Sequence, residues 1–169
     1  LFRSMLVHAF ISSRVNYCNF LLYGVTPVDV QVAVSHEAAA RLVCELGRFD
    51  HITPAMRDEL HWLPVVQRIK FKVALMVTSV SMALGPAYLN KCCIVVTADA
   101  RQHHLRSIIR GDLLEPRTNT RRFGQRSFRS SGPAVWNSLP LYLRDFNLTL
   151  DQFKQQLKNY LFCLAYDIN

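Results

Sequence analysis

A chain of 169 residues and 19.4 kDa can bury one sizeable core or two small ones. Half of its residues are hydrophobic and 19% are charged, below the roughly 25% of an ordinary soluble domain, so polar surface is scarce and some apolar faces are expected to dock on further protein. The formal net charge of +8 excludes an acidic, solvating chain and favours polyanions as partners. A membrane span needs roughly 18 consecutive apolar residues, and no run reaches it, since LFRSMLVHAFISSR is interrupted by Arg3, His8 and Arg14.

Phe2, Leu6, Ala9, Phe10, Tyr17 and Leu21 recur at mostly helical spacing up to Gly24, and predict a first long helix. Pro27 opens a second, with Val30, Val34, Ala38 and Leu42 on one face and Gly47 closing it. The two are expected to pack as an antiparallel pair. HITPAMRDELHWLP predicts a short helix with Thr53 as N-cap, Pro54 in the first helical position, and Asp58 and Glu59 inside it. After Pro64, the recurrence of Val66, Ile69, Val73, Met76, Val80 and Ala83 describes a long amphipathic helix. Its second half is apolar nearly all round, which assigns it to the centre of the core.

Gly85 and Pro86 end that helix, AYLNKCC reads as a turn, and IVVTADARQHHLRS loses periodicity, so a linker is expected over residues 91–111. DLLEPRT and RRFGQRSF are short runs bounded by turn residues and predict extended segments, with room for one hairpin, near residues 112–130. A short helix carrying Trp136 follows. Thr149 and Gln152 form a capping box for a final helix with Leu150, Phe153, Leu157, Leu161 and Leu164 on one face. The expected class is mainly α, a helical bundle with a small extended or hairpin element near residues 112–130.

The charge is concentrated. Residues 101–129 hold eight arginines against Asp112 and Glu115, a net +6, and the remaining 140 residues carry only +2. Within that block Arg117, Arg121, Arg122, Arg126 and Arg129 alternate with Phe123 and Phe128. Guanidinium forks donate paired hydrogen bonds to phosphate and keep their charge, and an exposed ring can stack on an unpaired base. The competing account makes both phenylalanines core anchors and the arginines a solvated loop.

Other constellations carry less. Cys92, Cys93, His103 and His104 could be assembled into a zinc site, but neighbouring ligands cannot easily all aim at one ion, so no metal is expected. His51, Asp58, Glu59 and His61 lie close in sequence without any motif of a hydrolase, and capping or surface hydrogen bonding accounts for them. Trp62 and Trp136 each precede a Leu-Pro stop and are expected in the core, with base stacking the alternative. Five cysteines without a Cys-x-x-Cys spacing suggest reduced, buried thiols and an intracellular setting, cytoplasmic or nuclear.

FDHITP, ELHWLPVVQRIKFK, RTNTRRFGQRSFRSSGPAVWNSLP and FKQQLKNYLF together resemble the region that follows the polymerase core in non-LTR retrotransposon (LINE-type) reverse transcriptases, over about Leu6 to Leu164. The chain departs from the family's usual pattern at VQVAVSHEAAARLV, through Gln31 and His36, and at QHHLRS. The resemblance implies a helical thumb-like subdomain over residues 1–90, then the linker, then an arginine-rich extended element with C-terminal helices over 112–169. It implies a parent RNA-directed DNA polymerase whose paired catalytic aspartates lie upstream, and no Asp-Asp pair occurs here. With Leu1 in place of a methionine, the chain reads as a piece of something longer. The implied partners are RNA or an RNA/DNA duplex and the upstream polymerase domain, with no catalytic residue and no cofactor in this fragment.

Overall fold

A computed structural model describes residues 9, 13, 17, 22–24, 26–96, 111–117, 124, 126–145 and 147–168. The expected first helix lies almost wholly outside these residues, as do its pairing with the second helix and most of the expected linker. Helices α1 (Thr26–Val43), α2 (Ile52–Pro54), α3 (Val65–Ser81), α4 (Phe128–Asn137) and α5 (Leu150–Tyr166) are joined by a π-helical turn at Ala55–Glu59 and 3₁₀ turns at Ala87–Cys92 and Leu141–Leu143. The fold is mainly helical, as expected, with no strand among the described residues. One isolated antiparallel bridge joins Val95 to Leu113.

The chain divides into two compact units, residues 1–69 with 160–169, and residues 70–159. In the first, α1 buries His36, Ala39 and Ala40 and half-buries Val43, at the i, i+3, i+4, i+7 spacing of one helical face. That face packs with Met56 and Trp62, and Ile52, Leu60 and Tyr166 close the cluster. The expected face is therefore corrected: Val34 and Leu42 are 59% and 54% exposed, and Ala38 is exposed too. The two buried alanines present almost no side chain, so the backbone of α1 can approach the 52–62 segment closely.

Two helix ends also differ from expectation. At the end of α1, Glu45 takes the left-handed turn with φ 55°, and Leu46 N–H reaches back to the Arg41 carbonyl at 3.0 Å. Gly47 is held instead by Arg41, whose Nη1 donates to the carbonyls of Gly47 and Asp50 at 2.7 and 2.8 Å. At the start of α2 the N-cap is His51 and not Thr53, and no side chain caps it. The tighter α geometry then widens into the π turn, where Leu60 N–H bonds the Ala55 carbonyl at 3.0 Å.

In the second unit, α3 buries Val73, Ala74, Val77, Thr78 and Val80, so its second half is enclosed nearly all round, as expected. The start of α3, which belongs to the first unit, buries Val65 and Ile69 and leaves Val66 half exposed, and Ala83 lies beyond the helix with φ 57°. Gly132 of α4 meets α3 closely: a Cβ there would sit 3.2 Å from Val77 Cγ2 and 3.4 Å from the Phe128 ring. The capping box on α5 is reciprocal, with Thr149 N–H donating to Gln152 Oε1 at 3.0 Å and Gln152 N–H to Thr149 Oγ1 at 3.3 Å. Phe153 and Leu157 are buried along α5 as expected; past residue 159, where α5 belongs to the first unit, Leu161 is buried as expected and Leu164 is half exposed.

Candidate nucleic-acid interface

The arginine segment leaves a stretch that is tied down at several points. Leu113 is buried, and the side-chain amide of Asn137 pairs with its peptide group: Leu113 N–H donates to Asn137 Oδ1 at 2.8 Å, and Asn137 Nδ2 donates to the Leu113 carbonyl at 2.9 Å. A carboxamide presents an N–H donor and a C=O acceptor side by side, with a second N–H to spare, so Asn137 acts here as a neighbouring strand would. The same Nδ2 also reaches Glu115 Oε1 at 3.0 Å. On the other edge, Val96 N–H bonds the Asp112 carbonyl at 2.9 Å and Leu114 N–H the Ile94 carbonyl at 2.8 Å.

Two more groups fix the start of this stretch. Gly111, with φ 64°, turns its carbonyl to accept a hydrogen bond from Trp136 Nε1 at 3.0 Å. Arg144, 8% exposed, pairs with Asp112 through Nη1, and its Nε is buried without a hydrogen-bond partner. A buried pair of this kind contributes little net stability, but removing one partner strands the other charge. Trp136 also lies 6.1 Å from Phe153, ring centre to ring centre, so its indole is part of the core and its N–H is consumed.

Of the five arginines singled out in the sequence, Arg117 is exposed at the end of the tied stretch, Arg126 is half-buried just before α4, and Arg129 is exposed on the first turn of α4. Arg121 and Arg122, with Phe123, lie outside the described residues. Among the described residues no ion pair engages Arg117, Arg126 or Arg129. Phe128 is half-buried against Gly132, which favours its role as an anchor over base stacking. The Ser127 hydroxyl donates to the Gly124 carbonyl at 2.7 Å and leaves the helix start uncapped by a side chain, with no acidic residue in the first turn.

No protein-family model, no curated protein and no solved structure matches this chain.

The remaining candidate residues are spread over surface and core. Arg57 grips Asp58 through Nε and Nη2 at 2.6 and 2.8 Å, and that bond holds the Asp58 carboxyl below its ordinary range. His51 and His61 are exposed, and His61 lies 6.1 Å from the Phe162 ring. Among the described residues no group of three or more His, Cys, Asp and Glu side chains is placed to hold a metal, and His103 and His104 lie outside them.

The thiols correct an expectation. Cys44, Cys92 and Cys93 are free but only half-buried, and Cys163 is exposed; Cys18 lies outside the described residues. Burial and the adjacent Cys92 push the Cys93 thiol up to about 11, which keeps it protonated and unreactive at neutral pH. Sequence reasoning missed Asn137 and Arg144. Asn137 stands directly after Trp136 in the Trp-Asn-Ser-Leu-Pro stop, but nothing local marks a side chain that reaches a residue 24 positions away.

Proposed function

We propose that this chain is a non-catalytic, C-terminal part of a LINE-type reverse transcriptase that helps hold template RNA or the RNA/DNA duplex. The observation that supports this is the charge at the start of α4. Arg126 and Arg129 stand at the positive end of a helix dipole with no acidic residue in the first turn and no ion-pair partner among the described residues. Such an arrangement works against the helix by a few tenths of a kcal/mol per charge. A phosphate at that position relieves both the dipole and the arginine repulsion, and backbone N–H groups at a helix start add donors for it.

Arg117, Arg121, Arg122, Arg126 and Arg129 would then contact the backbone of the nucleic acid without reading sequence, because guanidinium–phosphate contacts are the same for every base. Polymerase chemistry is assigned to the parent protein, whose upstream domain would supply the carboxylates that hold catalytic metal ions. The isolated chain is expected not to extend a primer. An intracellular, cytoplasmic or nuclear, location belongs to the same proposal.

Binding measured against salt tests it. Each phosphate contact contributes about 0.7 to 0.9 to the slope of log affinity against log salt, so changing Arg122, Arg126 and Arg129 together to alanine should flatten that slope by roughly two to three units. The loss should be equal for unrelated RNA sequences of one length. If the triple variant binds as tightly as the parent at every salt concentration, these arginines are solvated surface.

A second reading, a helical protein-interaction module without nucleic-acid binding, is favoured by one observation: the exposed Val34, Ala38 and Leu42 along one side of α1. Size-exclusion chromatography separates the alternatives in part, because an uncovered apolar stripe promotes self-association. A clean monomer that binds no hydrophobic dye would count against that reading.

A further inference from the structure

The bridge between Val95 and Leu113 has one covered edge and one bare one. Val96 N–H bonds the Asp112 carbonyl and Leu114 N–H the Ile94 carbonyl, so Val95 and Leu113 face each other as the pair that exchanges no bonds of its own. In such a pair the N–H and carbonyl of each residue point away from the other. Those of Leu113 point to Asn137, which takes both. Those of Val95 point to the opposite side, and nothing among the described residues takes either. The side chains at this edge are apolar and open to solvent. Val95 is exposed, and Ile94 and Leu114, cross-strand neighbours in the same register, are each more than half exposed.

We propose that Val95 is the centre of a twofold contact, in which a second copy of this chain pairs antiparallel along residues 94–96. An extended edge with unpaired backbone groups is a template for another chain. The hydrogen-bonded pair of an antiparallel ladder is two residues that exchange both N–H···O bonds. Val95 offers both groups on one side, so across a twofold axis it satisfies itself. That axis sets Val95 against Val95 of the second copy and Ile94 against Val96, and all three residue positions are β-branched, the type that packs best on a pleated surface. No charged residue stands between Cys92 and Val96, so two copies of a chain with net charge +8 meet where neither carries charge. The far edge of Leu113 is closed by Asn137, so the pairing ends at two copies and does not run on into a fibre.

The contact is independent of RNA binding and is tested without it. In sedimentation equilibrium of the full 169-residue chain, freed of nucleic acid, a dimer should form as concentration rises. Val95→Pro removes the N–H that faces the second copy, and it leaves the bonds to Asp112 and Leu114 in place because those use Val96 and Ile94. With both exchanged bonds lost, the dimer should weaken on the order of tenfold or more. Far-UV circular dichroism establishes that the variant is folded, and a second measurement needs no variant. Amide hydrogen exchange at Val95 in the parent should be fast in dilute solution and should slow several-fold as the dimer forms.

A parent that stays monomeric at every concentration would overturn the proposal. A dimer as tight in Val95→Pro as in the parent would overturn it as well, by placing association on another surface such as the exposed side of α1. Exchange at Val95 that does not change with concentration would show that the edge takes no second copy, and this outcome decides the matter even where Val95→Pro fails to fold.

Discussion

Trp62 and Trp136 both precede a Leu-Pro stop and both are buried, at 8% and 2% exposure, but their surroundings obey different rules. Trp136 is hydrogen-bonded to Gly111 and set against Phe153. Trp62 keeps company with ionisable groups. The His36 ring lies 4.9 Å from it and the Arg68 guanidinium 5.5 Å, while Tyr166 donates its hydroxyl to the Trp62 carbonyl at 2.6 Å. His36 is 1% exposed, and its Nε2 has no hydrogen-bond partner. Equal burial of the same side chain thus sets one anchor on a backbone carbonyl next to the Arg144–Asp112 pair and the other against a histidine whose pKa burial lowers.

The largest expected effect tests the anchor in residues 70–159. Trp136→Ala should cost about 3–5 kcal/mol, the usual range for truncating a buried aromatic ring. Trp136→Phe should still cost about 1–3 kcal/mol, because the Gly111 carbonyl loses its donor. Urea midpoints read both, and a Phe variant as stable as the parent would show that the indole N–H contributes nothing.

Acid sensitivity of the Trp62 neighbourhood comes next. Burial, and secondarily the charge of Arg68, lowers the His36 pKa from 6.5 to about 4. The unfolded chain therefore takes up this proton at a higher pH than the folded one. Stability from the neutral histidine is complete above about pH 6.5 and is lost as pH falls toward 4, by roughly 3 kcal/mol in all. His36→Leu should flatten the dependence of the urea midpoint on pH across that window. A variant with the parent's pH profile would mean that His36 does not titrate as its surroundings demand.

Smaller effects sharpen the contrast at the edges of the two units. Tyr166→Phe removes the bond to the Trp62 carbonyl and should cost about 0.5–1.5 kcal/mol. Thr149→Ala, which deletes half of the capping box on α5, should cost about 1 kcal/mol, and Thr149→Gly only a few tenths. Thermal denaturation resolves differences of that size, and an Ala variant no less stable than the Gly variant would show that the box does not hold the helix start.

The residues that were legible in the sequence are those whose interactions are local. Thr149 and Gln152 recognise each other across three positions, and Ile69, Val73 and Val80 mark the core side of α3 by spacing alone. The buried face of α1 was not legible, because Val34, Ala38 and Leu42 outweigh Ala39 and Ala40 in apolar bulk. Burial there follows how closely the backbone can approach, and only the partner segment decides that. A histidine on the buried side hid the face further, since it scores as polar although its ring packs on Trp62.

By itself, the sequence determined that the chain is mainly helical, where α3 and α5 run, that both tryptophans serve as anchors, and that positive charge gathers between residues 101 and 129. Periodicity, capping and composition are properties of neighbours along the chain, and they survive without a partner. Tertiary structure alone decided that Asn137 completes the backbone pairing of Leu113, that Arg144 meets Asp112 from 32 positions away, and that Arg117 begins from a stretch fastened to α4. Those pairings depend on which surfaces the folded helices bring together, and a lone asparagine or arginine carries no mark of the residue it will meet.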